Sequence, residues 1–193
     1  AHRVALMLSL LDVPHRTIDV DLRGGEHKRP AFLALNPFGQ VPVIDDGGVV
    51  VADSTAILVY LARRYGGQAW LPEDAAGAAA VQRWLSVASG PLAAGPAAAR
   101  LVTLFGAPYD VDSTLARAHA LLAVMDRELA GRDFLAGAAP SIADVACYAY
   151  VAHAPEGNVS LDGYAALRAW LRRIEGLPRF VPMACSPVGL LAA

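Results

Sequence analysis

Three short groups of residues in the amino-terminal part of the chain carry chemistry that could hold a small anionic peptide between them. His27-Lys28 places two cationic side chains next to each other. Gln40-Val41-Pro42 opens a short apolar run, and Asp53-Ser54 precedes a helical pattern. A proline cannot donate to a sheet ladder, so Pro42 belongs at the first residue or edge of the strand that continues through Val43-Ile44. The Val41–Pro42 bond is ordinarily trans, but X-Pro is the one linkage that turns cis at modest cost. A cis bond would point the Val41 N–H and C=O away from the sheet, where an extended peptide could pair with them as an added strand. Asp and Ser are preferred residues for opening a helix. A helix start also attracts anions through its free N–H groups and dipole. A ligand carboxylate would then meet the Ser54 hydroxyl and backbone, and Asp53 would take an ammonium. Read alone, Asp53-Ser54 is a plain helix cap and His27-Lys28 a solvated loop. Their placement on either side of Gln40-Val41-Pro42 makes a site of them.

The elements that must position these groups follow from periodicity. Val4, Met7, Leu8 and Leu11 recur at helical spacing, so the chain opens in an amphipathic helix that Asp12-Val13-Pro14 ends. Ile18, Val20 and Leu22 alternate with polar residues and predict a half-buried strand. Pro30 to Leu35 predicts a short helix. Val43-Ile44 and Val49-Val50-Val51 predict a hairpin closed by Gly47-Gly48. Ile57, Leu58 and Leu61 predict a helix from Ser54 to about Tyr65. Gly66-Gly67 to Ala75, broken by Pro72, reads as a linker. Beyond it the pattern is helical throughout. Leu115, Ala118, Leu122, Met125 and Leu129 form one stripe, and Leu167, Trp170, Leu171 and Ile174 another. Ser141-Ile142-Ala143-Asp144 opens a further helix with a variant capping box, Asp standing for the usual Glu or Gln.

The segment from Gly25-Glu26-His27-Lys28 through Ser54-Thr55-Ala56-Ile57 resembles the phi-type and related bacterial glutathione transferases. The closing Gly157, Tyr164, Ala169-Trp170 and Leu177-Pro178 positions also match, so the resemblance spans nearly the whole chain. It implies an α/β thioredoxin-like domain over residues 1–66 that binds glutathione. A linker over 67–75 and an all-helical bundle over 76–193 would follow, the latter lining a pocket for the second substrate. It further implies that Asp53 and Ser54 hold the γ-glutamyl group and that Val41 pairs with the cysteinyl backbone beside a cis Pro42. His27, Lys28 and Gln40 would hold the glycyl carboxylate. Asp53 departs from the family's commoner Glu, which shortens the reach and keeps the charge. Ser141 to Asp144 matches a core element of the family's helical domain and is read as structural.

Composition narrows the remaining classes. The chain has 193 residues, 55% hydrophobic and 18% charged, with a mean hydropathy of +0.40 to which alanine contributes much. Its longest charge-free run, residues 84–99, contains two glycines and two prolines and falls short of the ~20 apolar residues of a membrane span. No secretory signal is visible. A net charge of −2 argues against a nucleic-acid surface, which would show clustered Lys and Arg. Cys147 and Cys185 lie far apart without a C-x-x-C pair, which fits a reducing, cytoplasmic setting. No zinc-type ligand spacing and no phosphate-binding Gly-Lys loop occur, so no metal is expected. Glutathione as co-substrate, an apolar electrophile and a homodimer are the partners that the resemblance implies.

A thioredoxin-like half needs a strand ahead of its first helix. The sequence opens at Ala1-His2-Arg3-Val4, already in helical pattern and without an initiator Met. A leading segment is therefore expected, and with it the family's thiol-activating Ser, Tyr or Cys. No catalytic residue is assigned within the chain. His2, at the helix start, reads either as a base for the thiol or as a packing residue. His15, His119 and His153 read as structural, Cys147 as an inert apolar residue and Cys185 as part of an irregular tail. The electrophile pocket is expected around Ala94 to Arg100 and Tyr109. Three functions remain open: transfer of glutathione to electrophiles, glutathione-dependent thiol oxidoreduction or peroxidation, and non-catalytic binding on the same fold.

Overall fold

The computed structural model describes residues 1–192. Helix α1, His2–Leu10, opens the chain, followed by a long irregular segment, a 3-10 turn at Glu26–Lys28 and the short helix α2, Pro30–Leu33. Strands β1, Val43–Asp46, and β2, Val49–Ala52, pair antiparallel with Val43 opposite Ala52 and Asp46 opposite Val49. The two turn residues, Gly47 and Gly48, both have positive φ (60° and 94°), the conformation that a tight two-residue hairpin demands and that glycine adopts without steric cost. Helix α3, Ser54–Leu61, follows at once and widens into a π-turn over Ala62–Gly66.

The predicted strand at Ile18, Val20 and Leu22 does not form. Residues 13–21 carry no regular secondary structure, and Ile18 and Leu22 are 68% and 49% exposed. Alternation gives a segment the side chains of a strand, but a strand also needs a neighbour for its N–H and C=O groups. Among the described residues the sheet consists of β1 and β2 alone.

The segment read as a linker is ordered and packed. Leu71 is buried, the Ile142 N–H donates to the Trp70 carbonyl at 3.0 Å, and Arg63 donates to the carbonyls of Leu71 and Pro72. Helix α4, Ala75–Ser89, starts from Asp74, whose carboxylate accepts from the Gly77 N–H. Helices α5, Ala98–Phe105, α6, Val111–Leu129, α7, Ile142–Ala152, and α8, Ala165–Glu175, complete the chain. The stripes predicted on α6 and α8 are buried, apart from Leu115, which is partly covered.

Helix α1 buries a broader face than its periodicity indicated. Val4 and Met7 are buried as expected, but Leu6 and Leu10 go deep while Leu8 and Leu11 are only half covered. The reason is that α1 packs against α3 on one side and α7 on the other. A single amphipathic stripe describes a helix with one neighbour, and this one has two. The apolar core therefore runs without a break from Val4 and Leu58 through Trp84 and Met125 to Ile174.

Candidate functional site

The hairpin register assembles the site. Because Val43 pairs with Ala52, the Pro42 end of β1 lies beside the Ala52-Asp53 end of β2, where α3 begins. The Val41–Pro42 peptide is cis. Among the described residues, neither the N–H nor the C=O of Val41 has a hydrogen-bond partner.

Asp53 is the N-cap of α3. It sits at φ 76°, ψ 131°, a conformation costly for a residue with a Cβ and typical of positions held for function. Its carboxylate accepts from the Thr55 N–H at 2.8 Å, the Thr55 hydroxyl at 2.6 Å and the Ala56 N–H at 3.0 Å. Partial burial alone would push this carboxyl up. The Thr55 and Ala56 bonds, with the Arg3 charge nearby, outweigh that and hold it below its ordinary value. Ser54, the first helical residue, accepts a hydrogen bond from Arg3 Nη1 at 3.1 Å.

On the other side of Val41, the loop is shaped by Asn36, a buried residue that the sequence reading missed. Its side-chain amide donates to the Gln40 carbonyl at 2.8 Å, and its side-chain oxygen accepts from the Phe38 N–H at 3.1 Å. The Asn36-Pro37 pair is a turn signal that could have found it. Lys28 Nζ donates to the Gly39 carbonyl at 2.9 Å, so the 3-10 turn and the loop are in contact. A Cβ on Gly39 would lie 2.8 Å from the His27 carbonyl oxygen, and φ there is +58°, so only glycine fits. His27 is half-buried with Nδ1 lacking a partner among the described residues, while the Gln40 side chain is exposed and free. The structure thus gathers His27, Lys28 and Gln40 at one end of Val41-Pro42, and Asp53 and Ser54 at the other.

The remaining candidates fall outside this cluster. His2 is half-buried, with Nε2 unpartnered among the described residues. Burial first, then His153 and the amino terminus, lower its pKa and keep it neutral. Cys147 is fully buried, and burial pushes its thiol up to about 12, which makes it inert as expected. His119 bonds the Tyr164 hydroxyl at 2.9 Å, a partner 45 residues away that no local spacing announced, and His153 bonds Glu156, three residues on, at 2.6 Å. His153, Glu156 and Cys185 bring possible ligand atoms within 4.8 Å of one another. Both Glu156 oxygens are already engaged, one by Arg100 Nε at 2.6 Å and the other by His153 and the Ser186 N–H.

Of the expected electrophile wall, Ala94 and Tyr109 are exposed and the residues between Ala94 and Arg100 are not. Gly95 to Ala99 are buried, packed towards α6 and the Ala154–Gly157 turn, and Arg100 is tied to Glu156. The exposed large apolar side chains of this region are Phe105, Tyr109 and Val111, at the far end of α5 and the start of α6. No helix among the described residues is long and apolar enough to cross a membrane.

A hairpin with cis-Pro42 feeding a capped helix, joined to a helical bundle, defines a two-part thioredoxin-like and all-α protein. Comparison with known proteins gives the family. Residues 1–64 match the glutathione S-transferase amino-terminal domain and residues 100–178 its carboxy-terminal domain. The chain is 36% identical over 194 aligned residues to glutathione S-transferase 3 of Zea mays, covering 92% of this chain and 85% of that protein. It is 31% identical to the disulfide-bond oxidoreductase YfcG of Escherichia coli (strain K12), over 92% of this chain and 86% of that one. Among solved structures, a possible glutathione S-transferase from Rhodopseudomonas palustris superposes with a TM-score of 0.87 at 33% identity. That match covers 96% of this chain and 93% of the other. The chain belongs to the glutathione S-transferase family.

Proposed function

We propose that this protein binds reduced glutathione across Val41 and promotes attack of its thiolate on a small apolar electrophile. The juxtaposition that supports the reading most is Asp53-Ser54 at the head of α3 beside the free backbone groups of Val41. Asp53 takes the ammonium and Ser54 with the helix N-terminus takes the carboxylate of the γ-glutamyl group. Val41 pairs with the cysteinyl backbone as an added strand. Gln40, His27 and Lys28 take the glycyl carboxylate. Lys28 can do so while keeping its bond to the Gly39 carbonyl, because its ammonium has three N–H donors.

Binding supplies only part of the rate. A cysteinyl thiol with pKa near 8.5 is about 3% thiolate at pH 7. Lowering that pKa by about two units raises the thiolate fraction roughly 25-fold. A Brønsted slope of about 0.4–0.5 gives back roughly eightfold of that gain. Holding the thiol beside the electrophile must therefore supply most of the acceleration. The exposed apolar residues Phe105 and Tyr109 are the proposed contacts of such a substrate. The thiol-activating group is not assigned among the described residues. A cytoplasmic homodimer completes the proposal.

The test is calorimetric titration of the full-length protein with reduced glutathione. Saturable binding that both Asp53→Ala and Ser54→Ala weaken supports the reading. No heat and no thermal stabilisation at millimolar glutathione would refute it. A second reading, glutathione-dependent disulfide reduction, is favoured by the likeness to YfcG. Turnover of a small disulfide in preference to an aryl halide would select it.

A further inference from the structure

Arg3 is a cation in an unusual place. It projects from the first turn of α1 and is half-buried where α1, α3, α4 and α7 meet. Nη1 donates to Ser54 Oγ at 3.1 Å and Nη2 to the Ala88 carbonyl at 3.2 Å, while the guanidinium carbon lies 5.4 Å from the centre of the Tyr150 ring. Nε is buried without a partner, and among the described residues Arg3 forms no ion pair. The acids and thiols around it do not neutralise it by contact. Asp53 is committed to Thr55 and Ala56, and the buried Cys147 thiol is neutral. A half-buried guanidinium without a counter-charge is expensive unless an anion arrives to complete it.

We propose that Arg3 is the positioning residue of the carboxylate subsite at the head of α3, acting through the Ser54 hydroxyl. The inference rests on the glutathione reading above and names a residue that the reading does not contain. A hydroxyl has one proton to donate and two lone pairs to accept with. Because an Arg3 N–H occupies one lone pair of Ser54 Oγ, the hydroxyl proton turns outward, towards an incoming carboxylate. The chain from guanidinium to hydroxyl to carboxylate polarises in one direction, and the charge of Arg3 strengthens a bond that Arg3 does not itself make. The planar fork suits the task, since one side chain reaches Ser54 and Ala88 while its face rests on Tyr150. A lysine keeps the charge but loses the second anchor and the stacking.

The experiment compares three peptides by calorimetry: glutathione, γ-aminobutyryl-cysteinyl-glycine, which lacks the carboxylate, and glutaryl-cysteinyl-glycine, which lacks the ammonium. Arg3→Gln should weaken glutathione and the glutaryl peptide by roughly tenfold or more and leave the γ-aminobutyryl peptide unchanged. Arg3→Lys should fall between. Equal losses for all three peptides would show a merely structural role, and no loss for any would remove Arg3 from the site. Either outcome overturns the proposal. If the native protein binds none of the peptides, it is the glutathione reading that fails. Should Arg3→Gln not fold, Ser54→Ala must cost less in the Arg3→Lys background than in the native one. Equal costs there overturn the proposal as well.

Discussion

Asp144 offers the sharpest test of the physical reasoning, because its two carboxylate oxygens do separate work. Oδ1 accepts from the Leu135 N–H at 2.9 Å and the Trp170 indole N–H at 2.8 Å. Oδ2 accepts from the Ser141 N–H at 2.9 Å and the Ser141 hydroxyl at 3.1 Å. All four bonds lie at buried residues and join the loop before α7, its capping box and α8. Asp144→Ala strands the Leu135, Trp170 and Ser141 N–H donors. Each lost partner costs about 1–3 kcal/mol, less where the cavity admits water, so a total of about 4 kcal/mol is expected. Asp144→Asn can keep an oxygen facing Leu135 and Trp170, but it turns an NH2 group towards the Ser141 N–H. It should lose about half as much, roughly 2 kcal/mol. Both are large fractions of the 5–15 kcal/mol of a typical domain. The assay is urea unfolding followed by tryptophan fluorescence, with Trp170 itself as reporter. Equal destabilisation by Asn and Ala, or a loss below about 1 kcal/mol for Ala, would refute the division of labour between the two oxygens.

Three further outcomes are expected. Ser54→Ala should weaken glutathione binding by about 1–3 kcal/mol, and unchanged affinity in calorimetry would remove the helix-start argument. Glu156 is fully buried, yet its carboxyl lies below its ordinary value of 4.5. Burial pushes it up, and bonds from His153, the Ser186 N–H and Arg100 pull it down further. A depressed folded-state pKa stabilises above the unfolded value and loses that stability as pH falls through the folded one. Glu156→Gln should therefore melt below the native protein at neutral pH, and the gap should narrow as the pH falls below the ordinary carboxyl value of 4.5. A gap that stays constant with pH would contradict this. The protein should also be a homodimer, so light scattering at micromolar concentration that finds only monomer would exclude it.

Most of the helical part could be read from the chain because burial there repeats with the helix period. The α6 and α8 stripes and the Ser141–Asp144 cap are local patterns, and local patterns survive folding. The hairpin was legible for the same reason, since Gly47-Gly48 between two valine-rich runs has few other uses. Ile18 to Leu22 misled because pairing is a property of two segments and the alternation describes one. Arg3 and the Arg100 pairing of Glu156 were silent because those partners lie 51 and 56 residues apart along the chain. Of the candidate site, the groups proposed to touch a ligand were visible as types at known spacings. The groups that hold them in place were not, apart from Asn36, which a turn signal could have found.

The position of α1 between α3 and α7 has a consequence for how such proteins can be recombined. The first helix belongs to the thioredoxin-like half by sequence, but it also packs against α7 of the bundle. A chimera that joins the front half of one relative to the back half of another would inherit Leu6, Leu10 and Arg3 from one parent and Val151, Tyr150 and Ala88 from the other. Its crossover point is safest where α1 travels with α4 and α7, even though they are far apart along the chain.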